Sequence, residues 1–77
     1  MNRVPEAAKN NYTVRCLWIL KLISEDNLHL SELAILMGCS ERAIQRALVT
    51  LQEAGIVLRD DQPRGYYKPD QHFYLPL

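Results

Sequence analysis

Two arginines and a glutamine recur on one side of a helical segment near the middle of the chain. Arg42 and Arg46 are four residues apart and Gln45 lies between them, so a helix brings all three to one face. An arginine guanidinium can donate two hydrogen bonds to O6 and N7 of guanine, and a glutamine amide pairs in the same way with adenine. The same residue types are ordinary on a solvated helix face, so their meaning depends on the element that carries them.

Other side chains can join the same kind of contact. Ser40 is predicted first as a helix cap and second as a phosphate ligand, and Thr50 is expected to face solvent or a phosphate. Val49 can meet a thymine methyl group, although a single exposed valine needs no such explanation. The complete set of predicted DNA-contacting residues is Ser40, Arg42, Gln45, Arg46, Val49, Thr50, Arg64 and Lys68.

The elements that must position these side chains are two short helices joined by a tight turn. A helix predicted over residues 32–37 carries the small residue Ala34 where two helices would cross, and Gly38 follows where the chain must reverse. Ser40 then caps a helix over residues 41–54. The apolar face of that helix consists of Ile44, Ala47, Leu48 and Leu51. This combination predicts a helix-turn-helix, whose second helix enters the major groove of DNA.

The flanking segments complete a small domain. A first helix is predicted over residues 12–25, and residues 28–30 can form one brief strand. After Gly55, residues 56–59 and 66–68 are β-prone on either side of a turn, which predicts a hairpin. The fold class is therefore mainly α with a small β-hairpin: three helices plus a wing. Residues 1–11 are expected to be a mobile arm, residues 12–68 the domain and residues 69–77 a tail.

The chain from about Val14 to Lys68 resembles the N-terminal DNA-binding domain of IclR-type and DeoR-type bacterial transcription regulators. The segments that carry the resemblance are residues 30–34, 38–40, 44–46, 51–56 and 64–67. The resemblance implies a winged helix-turn-helix and a function in transcription regulation. Those regulators continue into an effector-binding domain, so this chain is expected to be either an excised domain or a small stand-alone regulator. No small-molecule ligand carries over.

The hairpin offers Arg64 as a candidate for a phosphate or minor-groove contact. Asp60 and Asp61 stand beside it, and two carboxylates would repel phosphate if they faced DNA. They can equally pair with the neighbouring arginines. Tyr66 and Tyr67 alternate across the predicted strand, so one is expected to pack inward.

Charge is the feature that fits DNA binding least well. The 77 residues include nine arginines and lysines and nine aspartates and glutamates, so the formal net charge is zero. Nucleic-acid binders usually carry a basic excess, because phosphate neutralisation supplies most of their non-specific affinity. Neutrality therefore predicts weak non-specific binding and a need for two copies. A winged-helix module that binds protein and not DNA is the competing hypothesis.

Catalytic and metal sites are not expected. The two cysteines, Cys16 and Cys39, fall at apolar positions of helical segments, and His29 and His72 are far apart in the chain. No metal-ligand spacing, nucleophile–base pair, carboxylate dyad or phosphate-binding glycine loop is present, so we expect no enzyme and no cofactor. With no apolar run near the roughly 20 residues of a membrane span, a reduced, cytoplasmic protein is predicted.

The first predicted helix carries a second apolar stripe, which is expected to be covered by another surface. Val14, Trp18 and Leu22 are spaced four residues apart, nearly opposite the stripe that faces the predicted core. Exposed apolar stripes often mark interfaces, so these three residues are predicted to form a homodimer contact that sets two recognition helices against two half-sites. The alternative is that the tail or the N-terminal arm folds over this face within one chain.

Overall fold

The computed structural model describes residues 4–61 and 66–77, and for residues 59–61 and 66–67 it describes the backbone alone. The helices are α1 (Ala7–Asn10), α2 (Tyr12–Glu25), α3 (Leu30–Met37) and α4 (Glu41–Glu53), and the strands are β1 (Leu58–Asp61) and β2 (Tyr66–Pro69). The strands pair antiparallel, with Leu58 opposite Pro69 and Asp61 opposite Tyr66. The described part is therefore mostly helical with a two-stranded hairpin.

Helix α2 has the bounds that its apolar pattern predicts. Its N-cap is Asn11, whose side chain accepts a hydrogen bond from the Val14 N–H at 3.1 Å and so satisfies one of the free donors of the first turn. The helix ends at Asp26, where the backbone becomes extended. Because α2 contacts the three other helices and β2, it is the central element of the domain.

Helix α3 begins at Leu30, two residues before the predicted start. The Glu32 carboxylate accepts a hydrogen bond from the His29 N–H at 2.8 Å, and this cap makes His29, not Ser31, the last residue before the helix. Of the brief strand predicted over residues 28–30, His29 forms an isolated β-bridge, whereas Leu30 is already helical. The helix ends at Gly38 in the left-handed region, with φ of 68°.

Helix α4 carries the predicted apolar face on its inner side. Ser40 caps it by accepting a hydrogen bond from the Ala43 N–H at 3.1 Å. The four predicted core residues, Ile44, Ala47, Leu48 and Leu51, are all buried. Beyond α4 the Ile56 N–H donates to the Leu51 carbonyl at 3.1 Å, which ties Ile56 to the end of the helix. The first strand therefore begins at Leu58, two residues later than predicted.

The N-terminal segment is not a free arm where the structure describes it. Residues 7–10 form α1, and Ala8 is 0% exposed against the core, so the described ranges hold four helices, not three. Residues 7–10 therefore pack onto α2, the helix with which the predicted domain begins. This long-range contact leaves no periodic signal in a four-residue helix.

The predicted dimer stripe is covered within one chain. Trp18 is 9% exposed and Leu22 is 2% exposed, and Val14 packs against the same core. Phe73 and Leu75 of the C-terminal tail also pack against the buried cluster. The prediction that Val14, Trp18 and Leu22 form a free dimer surface is therefore wrong, because burial within the chain already supplies the apolar contacts that the stripe needs.

No helix in the described ranges is both long and apolar enough to cross a bilayer.

Candidate nucleic-acid interface

The outer face of α4 brings the predicted base-contacting residues together. Arg42, Gln45 and Arg46 are all exposed, and Val49 continues the same face with 52% of its surface exposed. This face lies opposite the buried stripe of the helix, so the side chains project away from the core. A helix about 10–12 Å across with a polar outer face has the dimensions and chemistry that fit a major groove.

Tyr12 on α2 supports this helix from the side. Its ring lies beneath the Arg46 guanidinium, 5.9 Å from centroid to carbon, and its hydroxyl donates to the Arg46 carbonyl at 3.1 Å. The same hydroxyl lies 2.5 Å from Oγ1 of Thr50, which is also 3.2 Å from the Arg46 carbonyl. Thr50 is thus half-buried in a hydroxyl cluster between α2 and α4, so it connects the two helices more than it faces solvent.

A basic cleft opens at the beginning of α4. It is lined by Tyr12, Arg15, Ser40, Arg42, Ala43 and Arg46. The guanidinium groups of Arg42 and Arg46 and the partial positive charge of the helix N-terminus converge there, while Arg15 beside them donates to the carbonyls of Ala8 and Lys9. No carboxylate is among the described lining residues. Because each of these groups favours negative charge, the cleft suits an anion such as a phosphodiester.

The Ser40 hydroxyl, at the mouth of this cleft, keeps its hydrogen available for donation. Its Oγ accepts from the Ala43 N–H, which uses a lone pair of the hydroxyl and not its hydrogen. The residue is exposed, so the hydroxyl can still donate to an incoming phosphate. The capping function and the contact predicted from the sequence are therefore compatible.

Lys68, one of the residues predicted on the hairpin, does not join the α4 face. The Lys68 ammonium donates to the carbonyls of Ile23 and Asp26, at 3.2 Å each, and so binds the C-terminal end of α2. Such a contact satisfies carbonyls that have no partner within the helix and places a cation at the negative end of its dipole. Arg64 lies outside the described residues, as do the side chains of Asp60 and Asp61.

Neutral net charge conceals a local separation of charge. Lys21 and Lys68 use their ammonium groups inside the molecule, Lys21 in an ion pair with Glu25 at 2.7 Å. Arg42 and Arg46, by contrast, form no ion pair within the described part of the chain. Arg42 and Arg46 are consequently available to a ligand at the start of α4, which is where a DNA-binding helix needs cations.

Three of the residues that line the cleft are absent from the sequence-based prediction, and two of them, Tyr12 and Arg15, have polar side chains. The available signal was an aromatic residue and an arginine three residues apart in the first turn of a helix. That pattern is too common to indicate a contact across to another helix. The interaction becomes visible only once α2 and α4 are packed together.

Comparison with known families agrees with this geometry. The family model described as an HTH domain matches residues 15–67, which is well over half of the chain. The chain belongs to this helix-turn-helix domain family. No curated protein and no solved structure matched in the corresponding searches. Membership supports DNA as the partner and a non-enzymatic regulator as the class of protein, whereas the narrower likeness to IclR-type and DeoR-type regulators goes beyond it.

Proposed function

We propose that this protein is a sequence-specific double-stranded DNA-binding regulator of transcription that inserts α4 into the major groove. The observation that carries the proposal is the exposed row Arg42, Gln45 and Arg46, which lies opposite a fully buried face of the same helix. The two arginines would pair with guanine and Gln45 with adenine, while Val49 can contact a thymine methyl group. Ser40 would donate to a phosphate at the groove edge.

The hairpin of β1 and β2 would act as a wing beside the groove, as in the winged regulators that the sequence resembles. Arg64, between the two strands, is the residue we propose for a phosphate or minor-groove contact. Lys68 is left out of the proposed surface because its ammonium already donates to the end of α2. Thr50 is also left out, and we propose that its contact with Tyr12 orients α4.

We further propose that the protein acts in the cytoplasm as a homodimer. One neutral domain with few phosphate contacts binds weakly, and two copies would place two α4 helices in major grooves about 34 Å apart. The interface must use a surface other than Val14, Trp18 and Leu22. Light scattering during gel filtration, with and without DNA, measures the number of copies and tests this part separately.

The experiment that tests the function is enrichment of sites from a random pool of DNA duplexes. The wild-type protein is compared with the Arg42→Ala/Arg46→Ala variant, and far-UV circular dichroism confirms that each is folded. Gln52→Ala/Glu53→Ala is a matched control, since both residues are exposed on the last turn of the same helix. We expect the wild type and the control to enrich one palindromic site and the arginine variant to enrich none.

Failure of the wild type to enrich any site at low salt would overturn the proposal. The chain would then be better explained as a winged-helix module that binds a protein. The surface to examine in that case is the exposed pair Ile35 and Leu36 on α3.

A further inference from the structure

We infer that α1 extends the DNA interface beyond the helix-turn-helix, with Lys9 as an additional phosphate contact and Arg15 as the residue that positions it. The inference rests on the proposed function. It concerns a segment that the family match does not include, since the match begins at residue 15. Lys9, at the end of α1, therefore receives no function from family membership.

The position of the Lys9 side chain is the first observation. Its aliphatic stem crosses Gly38, the residue at the turn between α3 and α4. A Cβ atom built on Gly38 would lie 2.6 Å from Cε of Lys9 and 3.3 Å from its Nζ. The glycine thus leaves room for the lysine, and the ammonium comes to the turn just before Ser40 and the basic cleft.

The second observation is that Arg15 holds α1 in this position through hydrogen bonds. Its Nε donates to the Ala8 carbonyl at 3.0 Å, and a second guanidinium nitrogen donates to the Lys9 carbonyl. These bonds satisfy carbonyls at the end of α1 that a four-residue helix leaves without internal partners. Arg15 also lines the cleft with Arg42 and Arg46, so α1 is joined directly to the basic surface.

The third observation is that no described residue pairs with the Lys9 ammonium. The residue is exposed, and within the described ranges no hydrogen bond or ion pair involves its ammonium. Lys21 and Lys68 differ in this respect, since both donate to carbonyls inside the molecule. An unpaired ammonium beside an anion-binding cleft has the chemistry to contact a second phosphate of the same DNA backbone, adding affinity without sequence preference.

The test measures the affinity of the full chain for a fluorescent duplex of random sequence over a range of salt concentrations. Removing one phosphate contact should lower the slope of log affinity against log salt by about 0.9. Lys9→Gln should show that loss, so that the fall in affinity between about 50 and about 200 mM salt becomes smaller by about threefold. Lys9→Arg keeps the charge and should keep the wild-type slope.

Arg15 is tested in the background of the first variant. If Arg15 acts through Lys9, then Arg15→Gln lowers the slope in the wild-type chain but lowers it no further in Lys9→Gln. A further loss of about 0.9 in that background would mean that Arg15 contacts phosphate itself, and would overturn its positioning function.

Two outcomes separate this inference from the proposed function. If Arg42→Gln lowers the slope and Lys9→Gln does not, α1 lies outside the interface while the DNA-binding function stands. If the wild-type chain shows no salt-dependent binding to any duplex, the proposed function itself fails.

Discussion

Tyr12 carries two kinds of interaction in one side chain, and they separate by mutation. The ring supports the Arg46 guanidinium, while the hydroxyl joins the cluster with Thr50 and the Arg46 carbonyl. We expect Tyr12→Phe to reduce the free energy of unfolding by about 1 kcal/mol, because it removes the hydrogen bonds and keeps the ring. Urea denaturation followed by the fluorescence of Trp18, the one tryptophan of the chain, measures the change.

Thr50→Val supplies the other arm of a double-mutant cycle. If the two hydroxyls act as one cluster, the double variant should be little less stable than either single variant. Additive losses would contradict this account and would mean that each hydroxyl interacts independently.

Cys16 makes stability sensitive to alkaline pH. Burial raises the pKa of its thiol above the ordinary value near 9.0, and the Tyr12 hydrogen bond and the Arg15 charge offset this only in part. The folded chain therefore holds the thiol proton to a higher pH than the unfolded chain does. This contribution to stability is complete below pH 9.0 and is lost as the pH rises through the folded-state pKa.

Cys16→Ala should accordingly flatten the decline of unfolding free energy above pH 9.0. The comparison is made on the slope, since truncation in the core also lowers stability at every pH. Leu20→Ala, which truncates a buried side chain of the same helix and removes no titratable group, is the control and should leave the alkaline slope as in the wild type. Equal slopes in Cys16→Ala and the wild type would show that burial of this thiol does not govern the decline.

Elements whose information is local were predictable, and those that depend on distant contacts were not. Local sequence contains the apolar repeat of α2, the Ser40 cap and the buried stripe of α4. Both helices form where predicted, and α4 ends one residue early. The start of α3 depends on a choice between two caps, which the Glu32 carboxylate decides in favour of His29.

The candidate site divides in the same way. The outward face of α4 follows from helical periodicity, so Arg42, Gln45 and Arg46 could be assigned from spacing alone. The support from Tyr12 and the engagement of Lys68 with α2 both join residues more than 30 positions apart. No local pattern contains such information, because it arises only when the helices pack.

The turn between α3 and α4 gives a test at the scale of the element. Gly38 and Gly55 both have positive φ, 68° and 100°, so an alanine at either position is strained by about 1–2 kcal/mol. They differ in surroundings, since a Cβ at Gly38 meets the flexible end of Lys9 and one at Gly55 meets nothing within 4 Å.

Because Lys9 can swing aside, we expect Gly38→Ala and Gly55→Ala to lower the free energy of unfolding by similar amounts. Chemical denaturation of both variants measures this. A much larger loss for Gly38→Ala, restored when Lys9→Ala is added, would show that the lysine stem is packed rigidly over the turn and is not free to move.

At the scale of the whole molecule, the tail adds apolar contacts to the core of a domain that is small and can bury only a limited apolar surface. Phe73 and Leu75 pack against the buried cluster, and the Leu75 carbonyl accepts a hydrogen bond from Lys21 at 3.0 Å. Lys21 is itself only 6% exposed, and this carbonyl and the Glu25 carboxylate accept hydrogen bonds from its ammonium. The tail thereby satisfies a buried cation as well as covering apolar surface.

Replacing both packed residues, as Phe73→Ala/Leu75→Ala, should lower the free energy of unfolding by about 2 kcal/mol or more. For a domain of this size that corresponds to a fall in melting temperature of roughly 10 °C. Tyr74→Ala is the matched control, because Tyr74 lies between the two and is 78% exposed, so its loss should change the melting temperature by little. Equal effects of the two variants would mean that Phe73 and Leu75 contribute no specific packing to the core.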